Sequence, residues 1–300
     1  LSVETQAKLA CAYAGLVWGL FWLPLRQLEE SGVPGLWANL VFYLTPLLFV
    51  LPALAFRRTE IVQGGSDLQL KGLISALSLV SYSIAILTTD IVRAILLFYL
   101  TPIWSALLAR AVLGEPITRV RWVAMALGIA GLVVILGDGT QSIPLPSNAG
   151  DWLALMSGLG WAIAAVLLRT GKNLHALDLC CTNFIWSAAI AVIFVLVFSS
   201  IAGPMPPWQT MAGTLPWLLP VMLLVVVSGT YATMWGAPKL NPAVVGLLFM
   251  TEISVGAVTA ALWAGEPFGP REIAGVILIS AAGVTESLWD LWVKPRLKRA

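Results

Sequence analysis

The sequence predicts an all-α membrane protein in which ten transmembrane helices form a five-plus-five inverted repeat. Three observations lead there. Of 300 residues, 59% are hydrophobic and only 11% are charged. Apolar runs of about twenty residues, the length of one bilayer crossing, recur between short polar links. The second half of the chain repeats signature residues of the first in the same order. A mean hydropathy of +0.90 leaves too little polar cover for a soluble domain. Gly, Pro and Trp scattered through long runs suit membrane helices, whereas a membrane barrel shows alternating segments of about ten residues.

Segmentation by apolar length gives spans at 9–28, 35–56, 70–89, 92–113, 120–137, 150–169, 178–201, 214–235, 241–264 and 271–292. The first follows a mixed-charge start and ends at Arg26, Glu29 and Glu30 without a small-residue cleavage site, so it reads as a permanent span. Two polar stretches exceed the other links, 137–150 and 203–216. The former divides the chain into units 1–140 and 141–300, each with five spans. With the N-terminus inside, fourteen Lys and Arg residues fall on the inner side, and only Arg26, Arg93 and Arg271 fall outside. The positive-inside rule then makes both termini cytoplasmic.

The repeat runs along both units. Gly15-Leu16-Val17-Trp18 with Arg26 recurs as Gly158-Leu159-Gly160-Trp161 with Arg169, and Asn39 before Phe42 recurs as Asn183 before Trp186. Ser81-Tyr82 recurs as Thr230-Tyr231. Leu96-Leu97-Phe98 and Gly114-Glu115-Pro116 recur as Leu247-Leu248-Phe249 and Gly265-Glu266-Pro267, both 151 positions on. Because each unit has an odd number of spans, the second enters the membrane upside down. Inverted repeats of this kind mark secondary transporters, with the substrate site between the halves near the midplane.

These residues resemble a known family. Two five-span units, each with a fourth helix ending in LGEP or AGEP and a Gly/Ala-rich fifth, are similar to the EamA-type members of the drug/metabolite transporter superfamily. The segment FYLTPIWSALLARAVLGEPITRVRWVAMALGIAGLVVI carries most of the likeness. Within that family the Trp-rich first and sixth spans and the NLVFYLTP second span resemble the YddG-type exporters of aromatic and other amino acids. The resemblance implies a bacterial inner-membrane exporter with a central cavity lined by the first four helices of each half. Many EamA proteins have an Arg near the start of a second span, where this chain has Asn39 and Asn183, so no anchoring role is carried over to those positions.

Glu252 is the leading candidate for substrate contact. A carboxylate in mid-span costs on the order of 3 kcal/mol if it faces lipid, so it must face helices or a wet cavity. It either binds a substrate ammonium or exchanges a proton during the cycle, or it is a structural acid bonded to a neighbouring helix. Helical spacing puts Leu248, Phe249, Val255 and Gly256 beside it. The 151 offset pairs Glu252 with Thr101 and places Phe98, Thr101, Trp104 and Ser105 on the matching face of the fourth span, with Tyr99 on the other side. Ser75, Ser78 and Tyr82 form a polar stripe on the third span, echoed by Ser228, Tyr231 and Trp235 on the eighth. Such hydroxyls either line a site or stitch helices together. Trp18, Trp161 and Trp186 lie deep enough to wall a planar ligand or to pack, whereas Trp37, Trp208, Trp289 and Trp292 sit where interfacial belts form.

The remaining chemistry is sparse. His175 is the only histidine, Cys11, Cys180 and Cys181 lack ligand or redox spacing, and no HExxH, GxSxG or P-loop pattern occurs. No enzyme, metal or cofactor is expected, and a dispersed net charge of +2 implies no nucleic-acid partner. No Lys or Arg lies at mid-span, which argues against phosphate-bearing substrates. The Thr-Pro pairs 45–46 and 101–102 are hinge candidates. Ala124, Gly128 and Gly131 form a small-residue stripe for helix packing or a homodimer face. The expected function is export of large or aromatic amino acids by alternating access, with hydrophobic or cationic drugs and other small metabolites as the alternative.

Overall fold

The computed structural model describes residues 1–89, 94, 97–136, 146, 148–171, 174–263 and 269–289, and every regular element among them is helical. In chain order these are α1 (Val3–Trp18), α2 (Trp22–Glu30), α3 (Gly35–Leu44), α4 (Leu47–Phe56), α5 (Arg58–Thr88), α6 (Thr101–Leu113), α7 (Arg119–Leu136), α8 (Ala149–Arg169), α9 (Ala176–Val197) and α10 (Ser199–Ala202). They continue with α11 (Trp208–Val221), a π-helical turn (Met222–Val227), α12 (Ser228–Gly236), α13 (Pro242–Phe249), α14 (Thr251–Trp263) and α15 (Pro270–Leu288). Arg93, Leu96, the second Gly-Glu-Pro at 265–267, most of the 137–150 link and Trp292 lie outside the described residues.

The protein is an all-α, multi-pass membrane protein. Among the described residues six helical stretches are long and apolar enough to cross a bilayer: Val3–Glu30, Gly35–Phe56, Arg58–Thr88, Ala149–Arg169, Ala176–Val197 and Trp208–Lys239. Shorter apolar helices occupy Thr101–Leu113, Pro242–Gly256 and Ile273–Ala282. The outer surface is correspondingly apolar, with Ile201 and Leu262 more than 70% exposed, as lipid-facing side chains can be without penalty.

Polar residues at span starts satisfy backbone donors that a helix leaves free. Asn148 accepts from the Asp151 N–H at 2.9 Å, and Asn241 accepts from the Ala243 N–H at 2.9 Å just before Pro242 at the first helical position. Gly114 ends α6 in the left-handed conformation with φ +67°, which accounts for the glycine of the first Gly-Glu-Pro.

Several spans are broken in the middle. The chain leaves α1 at Gly19 and re-enters helix at Trp22, Thr45-Pro46 separates α3 from α4, the Tyr99-Leu100 turn precedes α6, and Met250 separates α13 from α14. At all four breaks the backbone tightens to three-residue hydrogen bonds: Phe21 N–H to Trp18 O at 2.9 Å, Leu48 N–H to Thr45 O at 3.1 Å, Ile103 N–H to Leu100 O at 3.0 Å and Met250 N–H to Leu247 O at 3.2 Å. Proline accounts for two breaks, since Pro46 and Pro102 lack a donor.

The small-residue stripe on α7 is occupied within the chain. A β-carbon on Gly131 would stand 2.7 Å from the Gly275 carbonyl oxygen of α15, and Gly128 lies against Met250 and Ala282. Of its two sequence readings, helix packing is the one seen. Cross-links between the two halves cluster at the Lys/Arg-rich end. Arg57 makes a two-pronged pair with Asp178, with Nη2 to Oδ2 at 2.9 Å. The fully buried Lys71 donates to the Thr170 carbonyl at 2.7 Å and to Asp67 at 3.0 Å, and Arg169 meets Glu115 at 3.4 Å. At the opposite end Thr89 donates to the buried Asp151 at 2.7 Å.

Candidate substrate pocket

Three of the helix breaks surround one pocket. It is lined by Trp18, Phe21, Leu79, Tyr82, Phe98, Trp161, Thr230, Thr233, Met234, Phe249 and Glu252. Trp18 and Phe21 sit at the α1–α2 break, Phe98 precedes the turn before α6, and Phe249 and Glu252 flank Met250. The other walls come from α5, α8 and α12. Discontinuous helices at a site between halves are a recurring feature of secondary transporters.

Glycines bring these elements together. A β-carbon on Gly15 would stand 3.0 Å from the Leu248 carbonyl oxygen and 3.3 Å from Phe249 Cα, and one on Gly158 would stand 2.5 Å from the Phe98 carbonyl oxygen and 3.0 Å from Thr101 Oγ1. The same local arrangement therefore occurs twice. In each, a threonine after the break donates to the carbonyl three residues back: Thr101 to Phe98, and Thr251 to Leu248 at 2.8 Å. This corrects the pairing read from the sequence. Thr101 corresponds to Thr251, because the second copy is one residue shorter between Phe249 and the threonine, and Glu252 falls opposite Pro102.

The pocket is predominantly aromatic. Tyr82 and Phe98 stack with centroids 4.3 Å apart, Trp161 and Phe249 stack at 5.7 Å, and Trp18 and Phe21 are tilted at 5.4 Å. Phe42 supports Phe21 edge-on at 4.9 Å. The half-buried Glu252 is the one charged residue in the lining. The Tyr99 hydroxyl lies beside its carboxyl group and donates to the Phe249 carbonyl at 3.4 Å. The free cavity volume is about 30 Å³, room for a water or two but not for an organic ligand. The aromatic walls must separate before such a ligand can enter.

Of the residues singled out by sequence, Trp18, Tyr82, Phe98, Trp161, Phe249 and Glu252 come together here. Tyr99 does not line the pocket; it packs edge-on against Phe98 at 5.2 Å with its hydroxyl beside Glu252. Ser78 is buried and donates to the Ser157 carbonyl at 2.7 Å, tying α5 to α8. Thr101 is spent on carbonyls of Phe98 and Gly158. Trp186 lies apart, its indole N–H bonded to Gln69 at 2.9 Å in a surface depression. Tyr231 is 42% exposed and does not line the pocket.

The placement of Tyr231 has a register cause. Leu79 and Tyr82 face the pocket from α5, and Thr230 and Thr233 face it from α12, 151 positions on in both cases. The Tyr82–Tyr231 likeness is two residues out of that register, and two residues at about 100° each turn a side chain to the far side of its helix. Phe21, Leu79, Thr230, Thr233 and Met234 were not anticipated. Applying the 151 offset to the α5 face would have found the two threonines. Among the described residues no group of three or more His, Cys, Asp or Glu side chains could hold a metal.

Comparison with known proteins agrees with this architecture. A solved crystal structure superposes with a TM-score of 0.73 over 95% of this chain and 97% of the other at 16% sequence identity, a likeness of fold alone. The uncharacterized transporter sll1319 of Synechocystis sp. (strain ATCC 27184 / PCC 6803 / Kazusa) is 24% identical over 214 residues, 68% of this chain. The chain spans 60% of that relative's length. The sequence model of the EamA-like transporter family matches twice, over residues 6–137 and 148–285, on either side of the central polar link. With both matches together covering most of its length, the chain belongs to the EamA-like transporter family.

Proposed function

We propose that this protein is a secondary transporter exporting small hydrophobic or cationic molecules across a bacterial cytoplasmic membrane. The observation that carries the reading is a single carboxylate, Glu252, set in a box of six aromatic rings with no Lys, Arg or His in the lining. A cation gains from the carboxylate and from ring faces together, and desolvation strengthens both. Shape demands on the rest of the ligand are loose. Family membership speaks for a carrier and against an enzyme.

Ten helices in two inverted five-span units, 1–140 and 141–300, give this carrier its two states. The doubled family match, the doubled glycine–threonine packing and the broken spans support that reading. The halves rock about the pocket, and both termini lie on the cytoplasmic side, where the Lys/Arg-rich end with its Arg57–Asp178 and Arg169–Glu115 pairs would sit. No cofactor is required. A homodimer, if it forms, uses a face other than the α7 stripe.

A second reading, export of large or aromatic amino acids as in the YddG-type members, is favoured by three hydrogen-bonding groups in the lining. Thr230, Thr233 and the Trp161 indole could take a carboxylate while Glu252 takes the ammonium. Counterflow into proteoliposomes decides between the two. Saturable, preload-dependent uptake of trimethylphenylammonium, with phenylalanine unable to compete, is the expected result. Uptake of labelled phenylalanine, abolished by excess unlabelled phenylalanine but not by its methyl ester, would establish the amino-acid reading instead.

A further inference from the structure

We infer that Thr230 and Thr233 are specificity-determining residues that bind a hydrogen-bonding group on the ligand, a role that rests on the carrier reading of the same pocket. Both line the pocket, both are buried at 1% and 2% exposure, and neither hydroxyl has a hydrogen-bond partner among the described residues. The other buried threonines among the described residues bond back to a carbonyl three or four residues earlier, and so do several less buried ones. Thr45 donates to Val41 at 2.7 Å, Thr88 to Ile84 at 2.7 Å, Thr182 to Asp178 at 2.7 Å and Thr259 to Val255 at 2.8 Å. Thr230 and Thr233 depart from that habit where they line the pocket.

Leaving a buried hydroxyl unpaired is unfavourable, and such groups in folded proteins call for a water, an ion or a ligand. For Thr230 the carbonyl four residues back, Val226, lies in the π-helical turn, where the backbone bonding pattern shifts from four residues to five. Position matters as well as chemistry. In the other half of the chain the corresponding positions of α5 carry Leu79 and Tyr82, so the hydroxyl pair occurs in one half only. The Trp161 indole N–H, also buried and unpartnered, belongs to the same half of the chain. The C-terminal half thus supplies the carboxylate, both threonine hydroxyls and two of the six rings, and the N-terminal half the other four rings. The class that fits is an aromatic cation bearing a hydroxyl or amide group, in preference to a cation of purely hydrocarbon substituents.

The test compares trimethylphenylammonium with its 3-hydroxy and 4-hydroxy derivatives, which keep ring, size and permanent charge and add one hydroxyl. Half-saturating concentrations are read by counterflow in proteoliposomes. Wild type should take at least one hydroxylated cation at about 3- to 10-fold lower concentration, the worth of one added hydrogen bond. In the T230V/T233V double variant that ratio should fall to near one. In Thr230→Ser/Thr233→Ser, which restores the hydroxyls, it should return. Because Val and Thr are nearly isosteric, a folded double variant is expected, and gel filtration with a thermal unfolding curve verifies it. A ratio near one in wild type, or a ratio that survives T230V/T233V, would overturn the inference while leaving the carrier reading standing. Failure of wild type to accumulate any of the three cations would overturn the cation-carrier reading itself.

Discussion

The two halves of the chain build unlike walls around the same pocket. The N-terminal half contributes Trp18, Phe21, Leu79, Tyr82 and Phe98, whose only heteroatoms are one indole nitrogen and one phenol oxygen. The C-terminal half contributes Trp161, Thr230, Thr233, Met234, Phe249 and Glu252, which include the one charge and two aliphatic hydroxyls. Positions that carry shape, Trp18 with Trp161 and Phe98 with Phe249, match across the halves. Positions that carry polarity do not. A repeated architecture thus fixes where rings stand, and single substitutions on one copy decide what the rings can hold.

That contrast can be broken at its strongest point first. Glu252→Gln removes the charge and keeps the shape; it should raise the half-saturating concentration of trimethylphenylammonium by about 10- to 100-fold, the range for a hydrogen-bonded charge, as read by counterflow.

Substituting the paired glycines probes the shared architecture. Gly15→Ala and Gly158→Ala each force a methyl group against a carbonyl oxygen of the facing break, and each should cost about 1–3 kcal/mol of stability, seen as a lowered unfolding midpoint in detergent. Equal effects would support equivalent roles. A neutral Gly158→Ala would show that the two breaks are not held alike.

The aromatic walls should respond more mildly. Phe98→Leu and Phe249→Leu remove one ring each and should weaken cation uptake about 2- to 10-fold, in line with a partly desolvated cation–π contact. The smallest effect is expected at Tyr231→Leu. Its side chain faces away from the pocket, so half-saturation should change less than twofold, and a larger change would bring Tyr231 back into the site.

Much of this was legible in the sequence, and the parts that were not have identifiable causes. Long apolar runs and Gly-Glu-Pro punctuation gave the helices, because bilayer length and left-handed helix ends leave residue-level marks. Glu252, Trp18 and Trp161 could be found because a mid-span charge and a deep repeated tryptophan are conspicuous. Thr230 and Thr233 could not, since threonine is ordinary in a membrane helix and only the unused hydroxyl distinguishes them. Tyr231 misled through a likeness two residues out of register, and the Thr101–Glu252 pairing through one residue lost after Phe249. Helix faces turn by about 100° per residue, so a slip too small to disturb a motif match is large enough to choose the wrong neighbour. The π-helical turn at Met222–Val227 left no trace in the run MLLVVV.

The proposed cation carriage rests on Glu252 as the carboxylate among the aromatic rings of the pocket. The decisive measurement is counterflow of trimethylphenylammonium into proteoliposomes, run side by side for wild type and folded Glu252→Gln. Saturable, preload-dependent accumulation by wild type, with at least a tenfold loss in the variant at subsaturating cation, is expected. Equal accumulation by both proteins would overturn the proposal.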